Sequence, residues 1–241
     1  MARHAGAVAV LWGVLTVLGL LAAGRAHLLP VAAAREARII DDAFRFLLLL
    51  AVPVFTFVLA ALAYSVVAFR GRGEPPDDGP PLRGRSAVPW IWLAVTGGLA
   101  VYVIFNPGLR GLAALRADRH ADLVVRVEGS RWVWRFVYPD AGVTSRELVL
   151  PVGRRVRFEV TAADVVHSFW IPAFRVKVDA VPGMVTTVYV TPTRVGDRAA
   201  DVNFRVQCAE LCGLGHHLMA SPVRVVDPEA FREWAESARS P

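Results

Sequence analysis

The sequence predicts an all-β domain, a Greek-key sandwich or barrel, preceded by an α-helical hairpin that crosses a membrane. Two long apolar stretches, each bounded by arginines, lie in the first half of the 241-residue chain. In the second half, hydrophobic residues alternate with polar ones over short segments, which Gly, Pro and Asp residues separate. Hydrophobic residues make up 55% of the chain, which is above the usual fraction for a soluble domain.

The N-terminus has a basic start at Arg3 and then a stretch, residues 5–24, without Asp, Glu, Lys or Arg. This stretch ends in the small residues Ala-Ala-Gly, which are typical of the cleavage site of a secretory signal peptide. Its length of about 20 residues also fits a helix that spans the bilayer. We therefore predict a signal peptide over residues 1–26, with an extra N-terminal membrane segment as the alternative.

Residues 46–69 and 86–109 are the two apolar stretches of the predicted hairpin, and each is uncharged between its flanking arginines. At about 1.5 Å per residue, either helix would be roughly 36 Å long, enough to cross a bilayer with some tilt. Two tryptophans and a tyrosine lie near the ends of the second stretch, as is typical of the membrane interface. We therefore predict that residues 27–110 form a transmembrane hairpin surrounded by membrane lipid.

The loop between the two predicted spans, residues 70–85, contains four arginines together with Gly and Pro. Because positive charge is enriched in cytoplasmic loops, we predict that this loop is cytoplasmic. The C-terminal domain, residues 121–241, then lies outside the cytoplasm. The chain is thus predicted to be a multi-pass protein of the cell membrane with an extracytoplasmic domain.

Three segments of the second half, 122–128, 155–161 and 201–207, alternate apolar and polar residues. This period of two indicates strands with one buried face. Four further strand-forming runs lie at 132–138, 147–150, 184–191 and 223–226. Seven or eight short strands in roughly a hundred residues are typical of a Greek-key sandwich or barrel. An Asp-Pro-Glu sequence at 227–229 then predicts the start of a short helix that ends near Ser237.

The composition argues against two classes of protein. Lys and Arg outnumber Asp and Glu by 27 to 21, but most of this excess lies in the half that contains the apolar stretches. The soluble domain therefore has little basic character, and no nucleic-acid partner is predicted. The chain has only two cysteines, which are too few for a scaffold built from disulfides.

Both cysteines lie in one short segment, in which Cys208 and Cys212 are followed by His216 and Met219. The segment directly follows a predicted strand, and another histidine, His167, lies upstream, just beyond another strand. Thiolate, imidazole and thioether groups together select a soft or borderline metal ion, copper above all. The sequence therefore predicts a metal site in a loop between strands, with copper as the favoured ion.

Several kinds of site remain open from the residues alone. A mononuclear blue-copper site needs two histidines, one cysteine and a weak axial ligand, which leaves the second cysteine unused. A structural zinc site does not use methionine, and a Cys208–Cys212 disulfide leaves His216 and Met219 without a role. Two copper ions bridged by both thiolates, each with one histidine and one weak axial donor, use every ligand-type residue of the motif and are favoured.

The chain resembles subunit II of the haem–copper cytochrome c oxidases in four separated blocks that occur in the family order. The ligand block has the family pattern Cys-x-Glu-x-Cys-x-x-x-His-x-x-Met. The other blocks are the aromatic segment 132–134, the segment that contains His167 together with 177–183, and the terminal helix with Phe231 and Trp234. The resemblance covers the helical hairpin and residues 121–241, and it implies a cupredoxin-like fold.

The resemblance implies a binuclear copper centre of the CuA type, with a role for each residue of the motif. The implied terminal ligands are His167 and His216, the bridging ligands Cys208 and Cys212, and the axial ligands Met219 and the backbone carbonyl of Glu210. The Glu210 side chain is also implied to reach a magnesium ion at the contact with subunit I.

The implied function is that of subunit II of a respiratory cytochrome c oxidase. Trp132 matches the residue at which electrons from cytochrome c enter. Trp134 has the same parity on the predicted strand, so core packing is the alternative role for that face. The copper centre is implied to pass electrons to haem and copper in subunit I, where oxygen is reduced to water. The implied partners are subunit I, the other oxidase subunits and cytochrome c.

The sequence also departs from the family pattern at several positions. Arg175 stands where glycine is common, and Val133 stands where tyrosine is usual. The second apolar stretch begins without the acidic residue that is associated with a proton path, so no proton-path residue is predicted. Asp164 matches a position in the cytochrome-docking face of the family, whereas His217 is interpreted as a spare neighbour of His216.

The alternative function is a membrane-tethered copper-binding or copper-delivery protein. Such a protein could use the same donor atoms without transferring electrons, but it would not need the aromatic segment 132–134.

Overall fold

The computed structural model describes residues 2–71 and 87–239. All but the first two residues of the predicted cytoplasmic loop 70–85, and the first residue of the second predicted span, fall outside these ranges. The chain divides into two compact units, Met1–Leu28 with Asp42–Leu112, and Leu29–Asp41 with Ala113–Pro241. We describe each unit by itself.

The first unit is built from apolar helices. They are α1 (Ala2–Arg25), α2 (Arg35–Ala68), α3 (Ala87–Val103), a π-helical turn (Ile104–Leu109) and, at the boundary of the units, α4 (Arg110–Arg116). Within residues 2–71 and 87–239, three segments are long and apolar enough to cross a membrane: Arg3–Arg25, Arg35–Ala68 and Ala87–Arg116. The apolar helices that the sequence predicts before the β domain are therefore present.

The helix ends differ from the predicted spans for two physical reasons. Helix α2 begins at Arg35, ahead of the predicted start at residue 46, because an uncharged run marks the part that suits lipid and not the end of the helix. Helix α3 ends at Val103, before the predicted end at residue 109. Asn106 has extended backbone angles (φ −139°, ψ 113°), since the residue before a proline disfavours the α conformation.

The second unit is a sandwich of two β-sheets. Its strands are β1 (Leu123–Ser130), β2 (Val133–Tyr138), β3 (Val143–Ser145), β4 (Leu148–Pro151), β5 (Val156–Ala162), β6 (His167–Ile171), β7 (Val176–Ala180), β8 (Thr186–Val190), β9 (Gly196–Asp197), β10 (Arg205–Cys208) and β11 (Ala220–Val226). One sheet has the order β3-β2-β1-β5-β8, and the other has the order β4-β11-β10-β6-β7 with β9 paired to β11. The predicted all-β sandwich behind apolar helices is confirmed.

Alternation of side chains builds the core between the sheets. In β5, Val156, Phe158 and Val160 are fully buried, as their period of two predicts, and the residues between them are half-buried. Strand β5 pairs in parallel with β1 and antiparallel with β8. Backbone pairing on both edges therefore holds the apolar face of β5 toward the core. Phe169 of the opposite sheet packs on Phe158 with ring centroids 5.2 Å apart.

The predicted strand 201–207 is wrong in its first half. The strand begins only at Arg205, and the residues before it form a turn in which the Asp201 side chain accepts a hydrogen bond from the backbone N–H of Asn203 at 2.9 Å. Val202 is 57% exposed, although its parity predicts burial. An Asp side chain that bonds its own backbone two residues on favours a turn over a strand, which explains the difference.

Other strands were missed because they lack a period of two. Strand β6 is buried on nearly every residue, so its sequence does not alternate. His167, which was expected just beyond a strand, is instead the first residue of β6. Strand β9 has only two residues, too few for any pattern.

The terminal helix α5 spans Pro228–Ser237 and starts where the sequence predicts. Asp227 occupies the N-cap position, but its side chain makes no capping hydrogen bond. The helix packs on β2 through Trp234, whose ring centroid lies 5.0 Å from that of Tyr138. The Tyr138 hydroxyl also donates to the carbonyl of Val149 and accepts from its N–H, each at 2.9 Å, which ties β2 to β4.

Residues 29–41, which include the first turns of α2, belong to the β unit, which the sequence did not indicate. Ala33, Ala34 and Ala37 are fully buried in the core of the sandwich. The N–H of Ala33 donates to the carbonyl of Ala173 at 2.8 Å, and its carbonyl accepts from the N–H of Thr193 at 2.8 Å. Residues 29–41 are therefore part of the folded β unit and not a linker.

Two arginines hold this segment on the sandwich. Arg155 forms a buried ion pair with Glu36, with Nη1 and Oε1 2.8 Å apart. Arg175 binds both carboxylate oxygens of Asp41, at 2.7 and 3.0 Å. Arg175 has a left-handed backbone (φ 57°), a conformation that favours glycine. An arginine at this position is explained by its side chain, which binds Asp41.

Candidate metal centre

The loop between β10 and β11 carries most of the predicted ligands, as expected. It is closed at its base by a hydrogen bond from the N–H of Cys208 to the carbonyl of Met219 at 3.0 Å. Inside the loop, the N–H of His216 donates to the carbonyl of Gly213 at 3.0 Å. Gly213 has φ +113°, a backbone conformation that side chains disfavour, so glycine is required at this turn. The loop geometry is therefore set by backbone hydrogen bonds.

The folded chain brings all the predicted donor atoms together. The Sγ atoms of Cys208 and Cys212 are 3.8 Å apart. Nδ1 of His167 lies 3.8 Å from the Cys208 sulfur, and Nδ1 of His216 lies 3.6 Å from the Cys212 sulfur. Sδ of Met219 lies 3.8 Å from the Cys212 sulfur. Strand β6 therefore supplies one histidine to a cluster that is otherwise built by the loop.

The donor set fits copper. A sulfur–sulfur distance of 3.8 Å is far longer than the roughly 2.0 Å of a disulfide, so both cysteines are free thiols. It is also shorter than two metal–sulfur bonds of about 2.3 Å each, so one ion can contact both sulfurs. Soft sulfur donors with two imidazoles select copper, whereas a thioether is not a usual zinc ligand.

Burial defines the chemistry of the cluster. His167 and Met219 are fully buried, and both cysteines are almost fully buried. Burial, together with the neighbouring Cys208, raises the pKa of the Cys212 thiol to about 11. Without a cation, this thiol therefore keeps its proton at neutral pH, so a bound metal must displace the proton.

An ionised carboxylate orients the histidine of β6. Oδ1 of Asp164 lies 2.8 Å from Nε2 of His167, and Oδ2 accepts hydrogen bonds from the backbone N–H and Nε of Arg131 at 2.9 and 3.0 Å. Burial opposes ionisation, but the hydrogen bonds from His167, Arg131 and Val165 hold the pKa of Asp164 well below its usual range. Nε2 of His167 therefore donates to this carboxylate, and Nδ1 lies on the side of the sulfurs.

This orienting role of Asp164 was missed in the sequence, where only its match to a docking face was noted. The available signal was an acid three residues before a candidate ligand histidine, at a strand end.

Trp132 lies on the surface of the loop between β10 and β11, which we call the ligand loop. It precedes β2, is 39% exposed, and donates from Nε1 to the carbonyl of Cys212 at 3.3 Å. Trp134, with the same parity, is 1% exposed and packs edge-on against His167, with ring centroids 6.0 Å apart. The two tryptophans therefore contact the donor cluster from different places, one from the surface and one from the core.

Glu210 and His217 lie at the surface of the loop. The Glu210 side chain is exposed, while its backbone carbonyl lies 3.2 Å from the Cys208 sulfur and accepts the thiol hydrogen bond. His217 is exposed. No hydrogen bond between the His217 ring and the donor cluster is found among the described residues.

Comparison with known proteins shows to which sequences this chain is similar. The sequence profile of the periplasmic domain of cytochrome c oxidase subunit II matches residues 141–226. Cytochrome c oxidase subunit 2 of Thermostichus vulcanus is 31% identical over 275 residues, which cover 92% of this chain and 82% of the relative. The subunit 2 of a Synechocystis strain is 30% identical over 276 residues, covering 95% of this chain and 81% of the relative.

Among solved structures, the periplasmic domain of cytochrome oxidase subunit II (CoxB) of Bradyrhizobium japonicum is 34% identical, with a TM-score of 0.46. The matched region covers 50% of this chain and 95% of that domain. Because these two relatives, at least 30% identical, match over more than nine-tenths of this chain and four-fifths of their own length, the chain belongs to the cytochrome c oxidase subunit II family.

Proposed function

We propose that this chain accepts electrons from cytochrome c at a binuclear CuA centre and passes them to the haem and copper centres of subunit I, where oxygen is reduced to water. The observation that carries the proposal is the cluster of two thiols, two imidazoles and one thioether. Each of these donors lies within 3.8 Å of a cysteine sulfur. Family membership supplies the oxidase context.

Each donor has a proposed role. Cys208 and Cys212 are the bridging ligands, His167 and His216 the terminal ligands, and Met219 and the backbone carbonyl of Glu210 the axial ligands. When bound, the copper pair supplies a one-electron carrier whose charge is shared between two metal ions.

The protein contributes a fixed and dry environment. The donors lie on the ends of two strands and on a loop closed by backbone hydrogen bonds, so little rearrangement is needed to form the site. Burial of both cysteines and of Met219 excludes water from the sulfur donors. Trp132 is exposed and hydrogen-bonded to a ligand residue, which is the arrangement required of a residue that accepts electrons from an external donor.

We also propose a magnesium site at the contact with subunit I, in which the Glu210 carboxylate takes part. The support is that this side chain is exposed while its carbonyl faces the cysteines. Magnesium prefers carboxylate oxygens and usually needs ligands from more than one source. Glu210 would thus link the copper centre to the neighbouring subunit.

The proposed setting is the cell membrane, with the β unit outside the cytoplasm. The apolar helices support membrane anchoring by length and composition, and the matching family profile is that of a periplasmic domain. Subunit I, the other oxidase subunits and cytochrome c are the proposed partners.

The test is the copper content and the paramagnetic resonance spectrum of the protein purified from its membrane. Two equivalent copper nuclei of spin three-halves that share one unpaired electron give seven lines, whereas one copper gives four. Cys208→Ser and Cys212→Ser should each abolish the seven-line signal, while Ser221→Ala, in the following strand β11, serves as the control. Zinc, a cystine, or a single copper in the native protein would contradict the proposal.

The alternative, a copper-delivery protein, is separated by a second measurement. Trp132→Ala should slow the oxidation of cytochrome c and leave the seven-line spectrum intact, because Trp132 contributes no donor atom. Unchanged oxidation of cytochrome c would favour the copper-binding alternative.

A further inference from the structure

The indole of Trp132 lies directly on the backbone of the ligand loop at Gly215. A β-carbon built on Gly215 would lie 2.4 Å from Cδ2 and 2.7 Å from Cγ of Trp132. These atoms are at the base of the indole ring and not at a flexible end, so they cannot move without the whole side chain. No residue with a side chain fits at position 215 while Trp132 keeps its place.

This close approach is the reason for glycine at this position. Gly215 has φ −89° and ψ 10°, angles that residues with side chains also adopt. Gly213, by contrast, has φ +113° and needs glycine for its backbone alone. A substitution at Gly215 therefore tests the contact with Trp132 without adding backbone strain.

We propose that Gly215 is a positioning residue for electron transfer into the copper centre, an inference that rests on the proposed function. Its lack of a side chain lets the indole lie on the chain between the ligands Cys212 and His216. Nε1 of Trp132 then reaches the Cys212 carbonyl at 3.3 Å, so the surface ring is joined to a bridging ligand by one hydrogen bond.

A methyl group at position 215 must displace the ring. An ordinary contact between carbon atoms is about 3.5–4.0 Å, so the indole has to move by about 1 Å. The rate of electron transfer falls with the distance between donor and acceptor, and a misplacement of about 1 Å is enough to lower a rate that depends on geometry. We expect Gly215→Ala to slow reduction of the copper centre by cytochrome c severalfold.

A double-mutant cycle in the assembled oxidase tests this. The rate of copper reduction by cytochrome c is measured by rapid mixing for the wild type, Gly215→Ala, Trp132→Ala and the double variant. If Gly215 acts through Trp132, Gly215→Ala causes no further slowing in the Trp132→Ala background. Copper content and the seven-line spectrum are measured for every variant and should not change.

The outcomes separate this inference from the proposed function. An unchanged rate for Gly215→Ala, an additional loss in the double variant, or an altered copper spectrum in Gly215→Ala would each overturn the positioning role. If Trp132→Ala itself leaves the rate unchanged while the copper spectrum is intact, the role proposed for Trp132 fails, and the inference on Gly215 fails with it.

A second inference concerns α1, which packs on α2 through side-chain hydrogen bonds. Nε1 of Trp12 donates to the carbonyl of Pro53 at 2.8 Å. The hydroxyls of Thr16 and Thr56 are 2.7 Å apart. A third contact joins Nδ1 of His4 to the hydroxyl of Tyr64 at 2.7 Å.

The two helices run antiparallel, because position 4 of α1 meets position 64 of α2 at one end and position 19 of α1 meets position 52 of α2 at the other. At Gly19, a β-carbon would lie 2.8 Å from Cγ1 of Val52, so the helices also approach closely. Small residues and cross-helix hydrogen bonds hold helices together in lipid. A signal peptide that is removed has no need for such matched side chains.

From this packing we infer that α1 is retained in the mature protein as a membrane helix paired with α2, and is not the cleaved signal peptide that its sequence favours. The chain would then cross the membrane three times, with the segments Arg3–Arg25, Arg35–Ala68 and Ala87–Arg116.

N-terminal sequencing and intact mass of the protein isolated from its membrane decide this point. We expect the sequence of α1 to be present. A mature N-terminus between residues 24 and 34 would overturn the inference. Thr16→Val should also lower the thermal stability in detergent more than Thr96→Val, because the Thr96 hydroxyl bonds only to its own helix, at the carbonyl of Trp92. Equal effects of the two substitutions would likewise contradict the pairing.

Discussion

Asp164 joins the surface tryptophan segment to the buried His167, because one of its oxygens lies 2.8 Å from Nε2 of His167 and the other accepts two hydrogen bonds from Arg131. Arg131 immediately precedes Trp132 in the chain. A single carboxylate therefore orients His167 and anchors the turn that presents Trp132. The same residue is thus connected to the proposed electron-entry residue and to a proposed copper ligand.

Asp164→Asn is expected to weaken copper binding about 10- to 100-fold. Groups that hydrogen-bond to a metal ligand and orient it typically contribute this much to metal affinity. The amide has no full negative charge, so it accepts the hydrogen bond from Nε2 of His167 more weakly, and an amide N–H turned toward Nε2 would favour the tautomer with its proton on Nδ1. Copper affinity is measured by competition with a chelator. Asp179→Asn, an exposed acid on the neighbouring strand β7, is the control. Equal affinity of Asp164→Asn and wild type would show that Asp164 does not orient the ligand.

Met219→Leu is expected to leave copper bound and to raise the reduction potential of the centre. Leucine has a similar volume, so the buried site stays packed. It lacks the sulfur that lies 3.8 Å from the Cys212 sulfur, and loss of a weak axial donor disfavours the oxidised metal. The potential is measured by redox titration of the copper signal. Met184→Leu, at an exposed methionine, should not change the reduction potential. A shift of equal size in Met184→Leu would contradict an axial role for Met219.

Glu36→Gln is expected to destabilise the β unit by up to about 3–5 kcal/mol, since breaking a buried ion pair is costly and Arg155 keeps a weaker, half-exposed partner in Asp118, 3.6 Å from its Nε. The partner is Arg155, and both side chains are about nine-tenths buried. Glu229→Gln is the matched control, because its ion pair with Arg232 is exposed to solvent. Denaturant unfolding of the full chain in detergent measures both. Equal stability of the two variants would show that residues 29–41 do not support the sandwich.

Tyr138 is expected to make the fold sensitive to high pH. Burial raises the pKa of Tyr138 above its usual value near 10, so the folded state keeps a proton that the unfolded state loses. The unfolding free energy is therefore unaffected by this group below about pH 10, and it falls above that pH by up to about 1.4 kcal/mol per pH unit.

Tyr138→Phe tests this dependence. The variant should lose about 1–3 kcal/mol at neutral pH, because the N–H and carbonyl of Val149 lose their partner. It should also show a smaller decrease in stability above pH 10 than the wild type. Tyr189→Phe, at a partly exposed tyrosine, is the control. An unchanged pH profile in Tyr138→Phe would assign the alkaline decrease to other groups.

Much of the site could be predicted from the sequence because its chemistry is local. Cys208, Cys212, His216 and Met219 lie within one loop, and their spacing already implies a soft metal site. The alternation in 155–161 likewise predicted the buried face of β5, since one neighbouring layer is enough to produce a period of two. Patterns of this kind need only near neighbours in the chain.

Other features could not be predicted because they depend on residues far apart in the sequence. Strand β6, which places His167, is buried on both faces and has no alternation. The ion pair between Glu36 and Arg155 joins residues 119 positions apart, and no local pattern predicts such a pairing. The contact of Trp132 with Gly215 is of the same kind.

The sequence by itself determined the class of fold, the presence of apolar helices and the type of metal-binding side chains, because periodicity, length and ligand chemistry are properties of single segments. Only the tertiary structure decided which carboxylate orients His167, which tryptophan faces solvent, and that the residues before α2 complete the sandwich. These depend on which surfaces meet when separate strands pack, and that is a property of the whole folded chain.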